Sequence, residues 1–343
     1  MTVKVLATED DAWAEFVSGH AQATIFHHPA WASLLRECYG YRPFVLANLD
    51  VRGDLVGGMP FMEVDSPLTG HRWVSLPFSD SCVPLCRDPT ALGALVEYLV
   101  QETRRRAIPR VEIHASIPGG DRVFPGASFV LSRVRLSASP EATLKTFDRT
   151  RVREPIRQAT RRGVEVRRGT SISDLYTFYE MLAETHRRLG VPVQPKRFFS
   201  LVWNRLLEKG LGFLLLAYKD GAVIAGTVYL HYGRTLTAKY NASDLRFWKL
   251  RPNHLVYWSG VKWGCENGYS FFDFGRTEID NQNLRDFKRG WAAEEEPLTY
   301  ATICDRRPKL SSGRSRRLVG AVIRRSPPIV CRTLGEFLYG HYA

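Results

Sequence analysis

The run FFDFGRT at 271–277 gathers residue types that handle polar substrates. Strand alternation puts Phe272 and Phe274 on one face and Asp273 on the other. Gly275 allows a close backbone turn, and Arg276 and Thr277 follow it. Asp273 and Arg276 so placed could position a substrate, with Asp273 as proton acceptor; a structural Asp–Arg ion pair is the equal alternative. A second candidate group is cationic. Arg153, Arg157 and Arg161 recur every four residues, which on a helix lines one side, and Pro155 marks a helix start that leaves Arg157 and Arg161 the firmer pair. Such a row suits phosphates, of RNA or of a diphosphate-linked acceptor, or else it is a solvated helix face. Glu112 and His114 share a strand face and form either an acid–base pair or, more simply, a cross-strand hydrogen bond. The chain has no Ser-His-Asp order, no phosphate-binding glycine loop and no dinucleotide fingerprint. Its six cysteines, at 38, 82, 86, 265, 304 and 331, complete no four-ligand set, so free buried thiols are expected and a metal is not.

These side chains need a frame. The first half reads as helices at Asp10–His20 and Pro29–Cys38, strands at Arg42–Asn48, Leu55–Val64 and Arg72–Leu76, a helix at Pro89–Arg106, and strands at Arg110–Ala115 and Phe129–Leu136. The second half repeats the order. A helix capped by Ser171 or Ser173 carries a stripe of Leu175, Phe178, Tyr179 and Leu182 and stops at Gly190; another spans Pro195–Glu208. Strands at Phe213–Tyr218, Val223–His231 and Leu236–Asn241 follow, then a helix from Pro252, a strand at Ser270–Phe274, a short helix near Leu284–Arg289 and a strand at Leu298–Ile303. Each half therefore predicts an α/β fold of the α+β kind: a mixed, mostly antiparallel sheet with one parallel crossover, flanked by helices. Domains are expected at 1–145 and 146–304, with a basic tail over 305–343 in which Pro327 and Pro328 break any long helix.

The run YNASDLRFWKLRPNHLVYWSGVKWGCENGYSFFDFGRT, followed by NLRDFKRGW, resembles the signature half of the FemAB-like proteins. FHHPAW, LPFSD at 76–80 and RVREPIRQATRRGVEV agree with it, so the resemblance covers most of 24–300 and is tightest over 239–291. It implies two tandem acetyltransferase-like (GNAT-like) domains. It also implies joining an acyl group to an amine, with an amino acid taken from aminoacyl-tRNA onto an amine of a lipid- or nucleotide-linked peptide; some relatives use acyl thioesters.

Within that resemblance Lys288, beside Phe287, matches the motif lysine and would meet the oxyanion or bind the donor terminus; the plain alternative is a lysine paired on a surface helix. Lys239, Tyr240 and Asn241 fall where the donor enters between two parting strands, and Asn253 lies at the adjoining helix N-terminus, an anion site. Coenzyme A users carry a glycine-rich loop there, whereas here 246–252 is bulky and glycine-free, an argument against that donor. His27, Trp31, Ser79 and Asp80 match positions lining the acceptor cleft, although Trp31 also reads as core and His27 as a loop histidine.

Charge narrows the partners. Eight arginines over 149–168 face only Glu154 and Glu165, and 306–325 holds seven arginines and one lysine without an acid; together they exceed the net +13, so the rest of the chain is near neutral. Charge so concentrated favours a polyanion or an anionic membrane face. No stretch approaches the ~20 apolar residues that span a bilayer. Glu9, Asp10, Asp11 and Glu15 stand where a secretion signal would be basic and then apolar, so a cytoplasmic chain is expected, with peripheral inner-membrane contact through its tail. The leading expectation is aminoacyl transfer from aminoacyl-tRNA to a cell-wall precursor or metabolite amine, without a bound cofactor. An acyl-CoA-dependent transferase and a catalytically silent RNA- or membrane-binding module are the alternatives.

Overall fold

The computed structural model describes residues 1–308, 320–321 and 323–341. Elements begin and end on recognisable side chains. After β1 (Thr2–Leu6), α1 (Asp11–Gly19) is capped by the Asp10 carboxylate, which accepts from the Ala12 amide. The helix α2 (Pro29–Tyr39) opens on its proline and closes at Gly40, whose φ of 75° suits glycine. Then come β2 (Arg42–Leu49), β3 (Leu55–Ser66), β4 (Gly70–Val74), the short β5 (Leu85–Cys86), α3 (Pro89–Arg105), β6 (Val111–Ile113) and β7 (Val123–Arg135). Strands β2, β3 and β4 pair antiparallel in turn, but β4 and β6 run parallel, with Trp73 opposite Val111 and Val74 opposite Glu112. A parallel neighbour needs a crossover, and α3 provides it. Leu46, Phe61, Trp73, Leu95, Leu99 and Ile113 form the core beneath.

The order then recurs. It passes through α4 (Pro140–Thr146), a π-helical turn at Arg149–Arg153, α5 (Glu154–Arg161), β8 (Glu165–Gly169), α6 (Ile172–Leu189) and α7 (Lys196–Val202). A reciprocal capping box between Ser171 and Asp174 starts α6, which fixes the cap left open between Ser171 and Ser173. The meander β9 (Gly212–Lys219), β10 (Ala222–Tyr232) and β11 (Thr235–Ser243) is antiparallel. A 3-10 helix (Leu245–Leu250) and α8 (Pro252–Glu266) lead to β12 (Phe271–Glu278), parallel to β11. The chain continues with α9 (Gln282–Gly290), β13 (Glu294–Ile303) and α10 (Pro328–Leu338). Phe213, Tyr229, Val256, Phe272 and Trp291 lie at the centre of this second core. The expected meander, crossover helix and parallel strand are present twice.

Three features differ from the sequence reading. The compact units are Met1–Val130 with the stretch that begins at Pro297 and includes the rest of β13, and Leu131–Glu296 with α10 through Tyr339, so the divisions fall inside β7 and β13 and not at 145 and 304. A strand carries no turn signal at its middle, which hides such a division from sequence. The edge strand β8 escaped notice because EVRRG is mostly charged, as edges often are. Finally, the chain beyond 305 is more than a tail. Helical residues 323–325 stop before Pro327 as expected, but Pro328 then starts α10, Arg332 pairs with Glu180 of α6, and Cys331 is buried with Sγ 3.4 Å from the Val191 carbonyl. Most of the basic stretch expected over 306–325 lies outside the described residues. Among the described residues no helix is long and apolar enough to cross a membrane.

Candidate active site

The site is built where β11 and β12 part. Their parallel register runs from Thr235–Phe271 to Thr237–Asp273, while both strands continue further. On β11 the pairing with β10 slips between Val228–Tyr240 and Tyr229–Ala238, which leaves Lys239 as the bulged residue. A bulge bends and twists its strand, and this one lies just beyond the last β11–β12 pair. Asn241 then donates to Thr227 Oγ1 at 2.9 Å and to Asn253 Oδ1 at 3.4 Å, while Asn253 donates to Ser243 Oγ at 3.1 Å. These bonds tie the end of β11 to the first turn of α8. The Tyr240 ring packs edge-on against Phe199, with centroids 5.1 Å apart.

On β12 the expected alternation holds. Phe272 and Phe274 enter the aromatic core, and Asp273, 6% exposed, turns the other way. Its Oδ1 accepts from the Gly275 amide at 2.6 Å, and Gly275 takes a φ of 71°, which puts a kink in the strand. Its Oδ2 accepts from Arg133 Nε at 3.3 Å, and Arg133 Nη1 reaches Glu296 Oε2 at 3.3 Å. Asp273 thus has an ion-pair partner, and it comes from β7. Arg133 was not read from sequence; an arginine two residues after a buried leucine in FVLSRVRL was its only signal. Thr277 is 3% exposed, and its hydroxyl has no hydrogen-bond partner among the described residues.

Lys288 overturns the surface-helix alternative. It is 4% exposed, and its Nζ donates to the carbonyls of Phe274 at 3.0 Å and Gly275 at 2.8 Å. Burying an ammonium demands such partners. The helix bearing it is seated on both sides: Phe287 packs against Tyr257, Phe274 and Trp291, and Arg285 makes a bidentate pair with Glu295 at 3.1 and 2.7 Å. Phe287, half-buried and expected from the resemblance to touch substrate, is thus held in the aromatic core on one side. A trans peptide points its N–H opposite to its C=O, so with both carbonyls drawn to Lys288, the amides of Gly275 and Arg276 face away from it. The half-buried Arg276 follows the kink directly.

Where coenzyme A users carry a glycine-rich loop, residues Leu245–Leu250 form a 3-10 helix. The 3-10 helix at Leu245–Leu250 is capped by Asp244, whose carboxylate accepts from Arg246 N at 2.9 Å, and Arg251 takes a left-handed φ of 58° before α8. The arginine row is divided between the π-turn and α5. Arg153 closes the π-turn, and its Nε is buried without a partner among the described residues. Arg157 and Arg161 both turn to Glu154, the first at 3.8 Å, which lowers the charge that pair presents.

The residues matched to an acceptor cleft are internal to the first unit. His27 is 1% exposed; its Nε2 donates to the Val83 carbonyl at 2.8 Å, its Nδ1 accepts from Thr24 N at 3.1 Å, and burial holds its pKa down to about 4. Trp31 is fully buried, 3.4 Å from the Pro77 carbonyl. Ser79 Oγ donates to the Leu76 carbonyl at 2.6 Å and lies 3.0 Å from His114 Nδ1, and the Asp80 carbonyl accepts from Tyr300 Oη at 2.8 Å. Glu112 pairs with Arg110 at 2.6 Å and Arg72 at 3.4 Å, so the imagined Glu112–His114 pair is not what either side chain makes. Among the described residues no cluster could hold a metal.

Comparison with known proteins fits this geometry. Residues 147–289 match the family described as Acetyltransferase (GNAT) domain. The crystal structure of FemX superposes with a TM-score of 0.69 over 89% of this chain and 98% of that one, at 16% identity. The chain shares the tandem GNAT fold of FemX. Another solved fold of this kind is the C-terminal domain (DUF2156) of a putative lysylphosphatidylglycerol synthetase from Agrobacterium fabrum, with a TM-score of 0.54 and 14% identity over 91% of this chain and 95% of that one. The UDP-N-acetylmuramoylpentapeptide-lysine N(6)-alanyltransferase of Weissella viridescens is 22% identical over 60% of this chain, and the match spans 58% of that relative's length. The matched GNAT segment contains β8 through β12 and most of α9, so it includes Lys239, Asp273 and Lys288.

Proposed function

We propose that the protein is an N-acyltransferase that moves an aminoacyl group from aminoacyl-tRNA to an amine of a cell-wall precursor or a related small acceptor. The observation that carries this reading is the 3-10 helix Leu245–Leu250, which occupies the stretch where a coenzyme A pyrophosphate would need open glycine backbone. The relative from Weissella viridescens, a UDP-N-acetylmuramoylpentapeptide-lysine N(6)-alanyltransferase, lends the acceptor class.

Aminoacyl transfer asks little of a general base. The ester is activated, the amine attacks the carbonyl carbon, and the tetrahedral oxyanion collapses to an amide as the ribose oxygen leaves with a proton. In our reading the acyl group lies in the gap between β11 and β12. The Lys288 ammonium stands behind the kink and polarises the two peptides whose carbonyls it holds; the Gly275 amide is taken by Asp273, and the Gly275–Arg276 peptide carries the positive charge toward the oxyanion. Asp273, fixed by Arg133 and by the Gly275 amide, keeps the kink in shape and is the carboxylate nearest to take the amine's proton. Thr277, Arg276, Tyr240 and Lys239 line the substrate path, and Asn241 and Asn253 hold its rim. No metal or resident cofactor is required.

Mass spectrometry of products after incubation with a mixed aminoacyl-tRNA pool and candidate amines tests this. An amide product that needs charged tRNA supports the reading; a product made only when acyl-CoA is supplied replaces it with the thioester alternative, which the GNAT match over 147–289 favours.

A further inference from the structure

The 3-10 helix carries a second message, on the side away from the core. With three residues per turn, side chains three apart eclipse and form ridges. Phe247 and Leu250 make the inward ridge and pack on the core of the second unit. Arg246 and Lys249 make an exposed basic ridge. Leu245 and Trp248 make the third, standing in solvent at 51% and 53% exposure. The guanidinium of Arg251 lies 5.5 Å from the centroid of Trp248. Arg162, at the end of α5, donates to the Lys249 carbonyl at 2.6 Å and brings another cation alongside. Asp244 holds Arg246, but among the described residues no carboxylate pairs with Arg162, Lys249 or Arg251.

We propose that this ridge docks the protein on an anionic lipid bilayer. A short helix with one ridge buried and a leucine–tryptophan ridge left in water, framed by unpaired cations, has the chemistry of a membrane interface. Tryptophan favours the headgroup level, leucine favours the acyl boundary, and arginine and lysine meet the lipid phosphates. RNA could use Trp248 and the cations, but it offers Leu245 nothing, so Leu245 distinguishes the two partners. The proposal does not depend on which acyl group is transferred, and it locates membrane contact at 245–251 and not in the C-terminal stretch.

The test uses the full chain and sedimentation with large vesicles of phosphatidylcholine, with or without an equal part of phosphatidylglycerol. The parent is expected to bind the anionic vesicles, and Leu245→Ser with Trp248→Ser to weaken binding about tenfold or more. Lys249→Gln with Arg251→Gln should weaken it roughly fivefold per charge, with the loss shrinking as salt rises. Leu245→Phe should retain it. Matching thermal melts would show that these exposed changes leave the fold intact, and every variant keeps the C-terminal basic stretch, so any difference reports the ridge. The proposal is overturned if the parent ignores anionic vesicles, or if the serine pair binds them as the parent does. It is also overturned if only tRNA affinity falls and Leu245→Ser alone has no effect on either partner.

Discussion

Each unit contains a parallel strand pair made by one crossover helix, and the two pairs end in opposite ways. In the first, registered pairing stops at Val74 and Glu112, but the chain closes over the end: Ser75 N donates to the Glu112 carbonyl at 2.8 Å and Cys82 N to that of His114 at 2.9 Å. Leu76 and Phe78 accept positive φ values of 45° and 61° to make that closure, braced by Ser79, by His114 and by Tyr300, whose ring stacks 4.3 Å from that of His114. In the second, pairing stops at Thr237 and Asp273, and among the described residues no such closure follows. A bulge at Lys239, a kink at Gly275, a buried ammonium held by two carbonyls and a Thr277 hydroxyl without a hydrogen-bond partner among the described residues remain. One architecture, used twice, is sealed by its own side chains in one place and keeps a parted, polar strand end in the other. Parted strand ends lined with polar groups are where a substrate belongs.

The comparison breaks first at Lys288. Lys288→Met should lower single-turnover transfer by on the order of a hundredfold, the size seen when a preorganised oxyanion-stabilising group is lost. It should also destabilise the fold by about 1–3 kcal/mol in urea titrations, because two buried carbonyls lose their donor. Asp273→Asn and Arg133→Gln come next. Each should slow transfer by about tenfold or more, and in a double-mutant cycle the two losses should not add, since both act through one carboxylate.

The acid limb sharpens the contrast between packing and chemistry. His27 keeps a pKa of about 4 against an ordinary 6.5, chiefly through burial, and burial brings His231 and His254 to about 4 as well. A depressed histidine pKa means that the unfolded chain binds the extra proton first. Stability is therefore full above about pH 6.5 and is lost as pH falls toward about 4, by up to about 3 kcal/mol for the fully buried His27. Urea midpoints measured across that window should show the fall, and His27→Gln should flatten it. The smallest effect belongs to the sealed end. Tyr300→Phe should cost about 1 kcal/mol of stability and leave the transfer rate unchanged; a rate loss like that of Asp273→Asn would mean that the first unit shares in the chemistry.

Much of this was legible in the sequence. Local signals placed the meanders and crossover helices, and the FFDFGRT alternation put Asp273 opposite its phenylalanines. What stayed hidden depends on distant pairing. The bulge at Lys239 exists only in the register of β11 against β10, and Arg133 finds Asp273 across 140 residues of chain. The pairing of Arg157 and Arg161 with Glu154 is likewise not given by their four-residue spacing. His27, Trp31 and Ser79 carry chemically capable side chains, yet backbone carbonyls take up the polar atoms that chemistry would need.

The most direct test is single-turnover formation of amide from charged tRNA and an amine pool, run side by side for the parent, Lys288→Met, Asp273→Asn and Tyr300→Phe. A product made by the parent and by Tyr300→Phe, but nearly lost in the other two, is the predicted outcome. Equal product from Lys288→Met and the parent would contradict the account.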